Sequence, residues 1–322
     1  MICSFCKHRQ FSLIKIYQVN LLPFQHNLLL KGEFFMLKKC SSLLLALALI
    51  TILFAGCRGN AKNENQTGDP GTSTTSATTA TKTADTTVRP TNVGSRSYSK
   101  EKVVWGPGNI TDHARPQEPE RLQKQFGALG ARFLLDNKKQ LCLTFDEGYE
   151  NGYSGKILDT LKEKQVHAIF FVTYDFASQN PALIKRMIAE GHVVGNHTYR
   201  HLTMDEVTRA AATEEITVLH RYMEKNYQYK MTYFRFPKGE FSEDTLALAQ
   251  ELGYKSIFWS FAYADWDTQN VAEPAAALQK VTESTHPGAI FLLHAVSPTN
   301  AEILGQAIDS IRSQGYTFTT AL

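Results

Sequence analysis

From residue 141 to the C-terminus, short apolar runs alternate with segments whose apolar positions recur at helical spacing. The runs at 141–145, 168–172, 192–194, 232–235, 255–259, 289–293 and 316–318 have the length and the β-branched or aromatic content of buried strands. Between them lie helical patterns: Ile157, Leu158 and Leu161; Leu183, Ile184, Met187 and Ile188 after Pro181; then 204–226, a helix capped by Ser242, 271–284 and 300–314. Strands that alternate with helices of this length predict a parallel sheet with crossover helices. About seven such units favour an α/β chain folded as a distorted, closed or nearly closed (β/α) barrel. An open doubly wound sheet is the alternative, but no Gly-x-Gly-x-x-Gly follows the first strand.

Polar residues recur where these runs end. The first run stops at Asp146 and Glu147, followed by Gly148. Adjacent carboxylates at a strand end repel each other and cost desolvation unless a cation or a proton transfer uses them. An acidic start to the next helix is the ordinary alternative. His197 and His201 follow the third run; four apart, they can meet one cation if the chain there is helical or tightly turned. Arg235 ends the fourth run, Asp265 follows the fifth and His294 ends the sixth. Together they suit metal-assisted hydrolysis. Two histidines and one carboxylate hold a cation that activates water, a second carboxylate serves as base, and a separate histidine protonates the leaving group. Singly, each has a structural explanation: a surface histidine pair, an ion-paired arginine, a turn-capping aspartate, a core histidine. Their shared position after successive strands, where barrel sites form, carries the argument. His113, His167, His192, His220 and His286 lack that setting and read as structural.

The N-terminal third is of another kind. Residues 1–35 show no periodicity and read as a gene-model extension ahead of a start at Met36, which follows Lys31, Gly32 and Glu33. Lys38 and Lys39, an apolar stretch at 42–54 and the small residues before Cys57 form a secretory signal over 36–56, too short for a membrane span. Residues 53–57 resemble a bacterial lipoprotein box, which implies a lipid anchor on Cys57 and a place on the outer face of the cell membrane; cleavage without lipidation is the alternative. Residues 57–97 are rich in Thr, Ser and Ala and read as a flexible tether. The formal charge of +3 comes from the leader; from Cys57 onward 28 basic residues face 30 acidic ones, so no basic patch argues for nucleic acid. Only Cys142 remains beyond Cys57, which excludes a disulfide framework. Residues 98–140 read as a lead-in with one amphipathic stretch near 118–129 and no assignable chemistry.

In order, Thr144-Phe-Asp-Glu-Gly148, His197-x-x-x-His201, Arg235-x-Pro-x-Gly239, Asp265-Trp266 and Leu292-Leu-His294 resemble the motifs of the polysaccharide deacetylase family, the carbohydrate esterases with a NodB homology domain. The resemblance covers about 140–320. Tyr149-Glu-Asn-Gly-Tyr153, Phe258-Trp-Ser260 and His286-Pro-Gly288 are similar to the delta-lactam-biosynthetic subgroup, which deacetylates N-acetylmuramic acid in peptidoglycan, usually for the spore cortex. The resemblance implies Asp146 as base, Arg235 aligning it, His294 as acid tuned by Asp265, and His197 and His201 as ligands of a divalent cation, with zinc foremost and Mn, Mg or Co as options. Tyr149, Trp266 and Pro237 would face the sugar. Glu147 stands where the wider family has Asp and is the expected third ligand; Phe236 stands where Pro is commoner. Peptidoglycan strands are the expected partner of a monomeric enzyme. Deacetylation of N-acetylglucosamine, and a silent glycan-binding lipoprotein, are the other readings.

Overall fold

The computed structural model describes residues 97–108, 110 and 112–322. The leader, signal and tether expected over 1–35, 36–56 and 57–97 lie outside these, save for residue 97. In chain order the described elements are β1 (Val103–Val104), α1 (Gln117–Phe126), β2 (Ala131–Arg132), β3 (Gln140–Glu147), α2 (Ser154–Glu163), β4 (Ile169–Val172), α3 (Tyr174–Gln179), α4 (Pro181–Ala189) and β5 (Val193–Asn196). They continue with α5 (Arg209–Tyr227), β6 (Tyr233–Phe234), β7 (Glu240–Phe241), α6 (Glu243–Glu251), β8 (Lys255–Ile257), α7 (Pro274–Glu283), β9 (Ala289–His294), α8 (Pro298–Ser313) and β10 (Thr317–Phe318).

Seven strands follow one hydrogen-bonded path, β10-β3-β4-β5-β6-β8-β2, and β9 adds to β3. Every pairing in this sheet is parallel, and from β3 onward each crossover between its strands carries at least one helix. The sheet curls, and its far side is tied back to β9 by a single bridge, Phe261 to Phe291. This is the distorted (β/α) barrel that the alternation predicts. The core inside and beneath it is dense in aromatics: Phe133 stacks on Phe258 at 4.3 Å, and Phe236 lies parallel to the same ring at 5.8 Å. Phe236, the departure from proline, therefore fills core volume.

Two differences from the sequence expectation matter for the site. First, β3 runs two residues past the apolar run, so Asp146 and Glu147 close a strand instead of opening a loop. The ladder demands it: Asp146 pairs with Phe171 and His294, and Glu147 with Val172. Side chains alternate across a strand, so the two acids point to opposite faces. Second, the lead-in is built into the fold. β1 pairs antiparallel with β7, and β2 joins the main sheet beside β8.

Candidate active site

The inner face of β3 presents Thr144 and Asp146 to the barrel mouth. Arg235, fully buried just after β6, reaches across and donates from Nη1 to both, at 2.8 Å to Thr144 Oγ1 and 2.7 Å to Asp146 Oδ1. Its Nε and Nη2 donate to the carbonyls of Ile257 and Phe258, and its Cζ lies 4.1 Å from the centre of the Phe171 ring. The guanidinium thus has one orientation, and so does the carboxylate it grips. Burial alone would push the Asp146 carboxyl up, but Arg235, with His197 and His294, holds it below the usual carboxylate range.

His197 and His201 converge through a turn, not a helix. Thr198 and His201 both take left-handed backbone, φ 74° and 59°. The Asn196 side chain accepts from the Thr198 N–H, and the Thr198 hydroxyl accepts from the His201 N–H. Left-handed backbone costs a non-glycine residue about 1–2 kcal/mol. What it produces is a pair of Nε2 atoms 3.1 Å apart, with Asp146 Oδ2 3.5 Å from that of His197. His197 Nδ1 donates to the Arg235 carbonyl at 3.0 Å, which leaves the Nε2 lone pair facing the cleft. Burial lowers the proton affinity of both rings, that of His201 to about 4, where the neighbouring His197 adds to the effect. Two neutral, convergent imidazoles suit a divalent cation.

Glu147 is not brought to them. Its side chain is fully buried on the outer face against α2, where the Ser154 hydroxyl donates to Oε2 at 3.2 Å, and Oε1 meets no partner. Burial, then the Glu150 carboxylate, raises its pKa well above the usual value. Among the described residues no three His, Cys, Asp or Glu gather as a metal site, because the expected third ligand faces away. Among the described residues, the carboxylate oxygen that meets the histidine pair is Asp146 Oδ2.

On the neighbouring strand, His294 ends β9 beside Asp146, its partner in the ladder. Its Nδ1 donates to Asp265 Oδ1 at 2.7 Å, and its backbone N–H to Asp265 Oδ2 at 2.8 Å. Burial works against protonation of the ring, but the Asp265 carboxylate outweighs it and raises the proton affinity above that of a free histidine.

These groups open into a cleft of about 680 Å³, lined also by Trp105, Pro107, Tyr149, Lys238, Trp259 and Trp266. Tyr149 and Trp266 are exposed at its rim, and the Trp266 ring lies edge-on to His294 at 5.9 Å. Pro237 is instead buried at the start of a tight turn, which turns its neighbour Lys238 into the cleft. Sequence reasoning missed Lys238, which sits at φ 58° with Nζ 3.2 Å from Thr203 Oγ1. It also missed the wall made by Trp105 and Pro107. The indole of Trp105 donates to the Trp259 carbonyl at 3.0 Å, and its backbone N–H to Gly239. His113, His167, His192, His220 and His286, read as structural from the sequence, do not line the cleft.

A curled parallel barrel with a gripped carboxylate, a convergent histidine pair and a carboxylate-backed histidine at one mouth is the arrangement of a hydrolase. The family model for polysaccharide deacetylase matches residues 135–257. An uncharacterized 30.6 kDa protein of Geobacillus stearothermophilus is 42% identical over 70% of this chain and 85% of its own length. The peptidoglycan-N-acetylmuramic acid deacetylase PdaA of Bacillus subtilis is 40% identical over 68% of this chain and 84% of its own. The structure of Bacillus subtilis PdaA, a family 4 carbohydrate esterase, superposes with a TM-score of 0.66 at 38% identity, covering 69% of this chain and 95% of that one. The chain belongs to the polysaccharide deacetylase family and is a hydrolase that acts on an amide C–N bond.

Proposed function

We propose that this protein removes the acetyl group from N-acetylmuramic acid in peptidoglycan. The carrying observation is the pairing of Asp146, gripped by Arg235, with His294, backed by Asp265, on neighbouring strands at the mouth of one cleft. Asp146, ionised by its arginine, takes the proton of the attacking water through its free Oδ2. His294, which keeps its proton, gives it to the departing nitrogen through Nε2, since Nδ1 is committed to Asp265. His197 and His201 would hold a divalent cation, zinc foremost; when bound, it supplies polarisation of the acetyl carbonyl and a lower pKa for water. Tyr149 and Trp266 offer aromatic faces to the sugar rings.

Muramic acid is favoured over glucosamine by Lys238. Muramic acid carries a lactyl carboxylate, and Lys238 puts an ammonium into the cleft to meet it. The likeness to the muramic acid deacetylase PdaA supports the same choice. The freed amine can then condense with the lactyl carboxyl, losing water, to give muramic δ-lactam, a spore-cortex type of product. A lipid anchor on Cys57 would keep the enzyme at the outer face of the membrane.

The test is to incubate the chain with peptidoglycan, with and without prior removal of stem peptides, and to follow acetate and deacetylated muramic acid by mass spectrometry. Release from muramic acid is expected, and Asp146→Asn and His294→Ala are expected to lose about 10²–10⁴ of the rate while staying folded. Release confined to glucosamine would overturn the substrate assignment. Unchanged rates in both variants would overturn the roles.

A further inference from the structure

Asp265 does not hold His294 alone. Asn300, in the first turn of α8, places its side-chain amide behind the pair. Its Nδ2 donates to Asp265 Oδ2 at 2.6 Å and to the His294 carbonyl at 3.0 Å. Its Oδ1 accepts from the hydroxyl of Tyr263. The amide has only one consistent orientation. A carboxylate and a carbonyl can only accept, so both must face the NH₂, and the oxygen must then take the phenol proton. The phenol is fit to give it: burial, with the Asp265 charge beside it, raises its pKa, so it stays a donor. The asparagine backbone is fixed as well, because its N–H donates to the Ser297 hydroxyl that caps α8. Both Asn300 and Tyr263 are buried.

The consequence for Asp265 is a full set of donors. One oxygen faces His294 Nδ1; the other takes the His294 N–H and the Asn300 amide. A carboxylate held at both oxygens cannot rotate, so it offers His294 Nδ1 one acceptor in one place. That fixes the ring orientation that aims Nε2 at the substrate, and it holds the remaining proton on Nδ1 in the neutral tautomer left once Nε2 has given its own.

We propose that Asn300 and Tyr263 are positioning residues for the proton-donating histidine, acting through Asp265 to fix its tautomer and its aim. Neither lines the reacting atoms directly in this role: Tyr263 reaches the cleft with its ring, but its hydroxyl is spent on Asn300. This inference rests on the deacetylase reading.

The experiment uses the full chain and three variants, Asn300→Ala, Tyr263→Phe and Asn300→Ala combined with His294→Ala. Asn300→Ala is expected to lower kcat roughly ten- to a hundredfold with KM unchanged, part of the 10²–10⁴ that a general acid supplies. Tyr263→Phe should do the same to a smaller extent, and it carries the test if Asn300→Ala does not fold. Added to His294→Ala, the asparagine change should cost nothing more, since the group it positions is gone. A readout independent of activity is nitrogen NMR of labelled histidine. The His294 Nδ1–H should be protected in the parent and lost or exchange-broadened in Asn300→Ala. An unchanged kcat and an unchanged imidazole signal would overturn the proposal, as would a full extra loss in the His294→Ala background. If the parent chain releases no acetate from any glycan, the deacetylase reading fails, and the imidazole signal alone still decides whether Asn300 positions His294.

Discussion

Asp146 and Glu147 share a peptide bond and little else. One faces the barrel mouth and an arginine; the other faces a helix and a hydroxyl that also touches Glu150. The single Ser154 proton is shared between two carboxylates, and Glu147 Oε1 has no partner at all, so the buried Glu147 charge is poorly compensated. The pKa of Glu147 is raised in the folded state, so its stabilising contribution is complete below the usual glutamate value and is lost as pH rises through the folded value. Glu147→Gln is therefore expected to match the parent near pH 4 and to exceed it at pH 8 by about 1–3 kcal/mol in urea unfolding, the cost of an unsatisfied buried group. Equal stabilities at both pH values would sink this account. The sequence showed that the acids end a strand-like run, but not that the strand continues through them. Acids are poor strand formers, and only the partner strands reveal the extra register. The same holds for Asn300, whose role depends on a contact 35 residues back that leaves no local pattern.

At the level of elements, short apolar runs alternating with segments of period 3.6 were enough to place the barrel strands and most helices, because tertiary burial and local pattern agree there. The six-residue α3 was not visible, being too short to show a period. Nor was the shape of the turn after β5, since threonine and histidine give no sign of left-handed backbone. Gly239 is the opposite case, a residue whose identity states its geometry. It stands at φ 71°, and an added Cβ would lie 2.8 Å from the Trp259 ring and 3.0 Å from the Trp105 carbonyl oxygen. Gly239→Ala is expected to cost about 1–2 kcal/mol for the backbone, and roughly 1–3 kcal/mol more for the crowding. Chemical denaturation measures the sum. A variant within about 0.5 kcal/mol of the parent would mean that the turn relaxes freely.

On the scale of the whole molecule, the lead-in is where sequence and structure part most. Residues 98–108 lack periodicity, and their partner strand lies far along the chain, so nothing local announces them. Yet they supply one wall of the cleft, and Lys102 ties that wall down by meeting Glu206 at 2.5 Å and Glu240 at 3.1 Å. Deleting residues 97–107 is expected to raise KM on glycan strands several-fold with kcat largely kept, because positioning is lost and the proton-transfer pairs remain. A drop in kcat with KM unchanged would place the wall in the chemistry instead. The wall also has a mechanical side. Its strand ladder is only two residue pairs, Val103 with Phe241 and Val104 with Glu240, whereas β3 is laced to β9 over six. A pull along the chain from residue 97 would load the Ser99 contacts with Glu243 and Asp244, then that short ribbon, ahead of the longer β3–β9 ladder. The cleft would lose a side while the sheet stayed whole, and force applied at the N-terminal end would act as a brake on substrate binding.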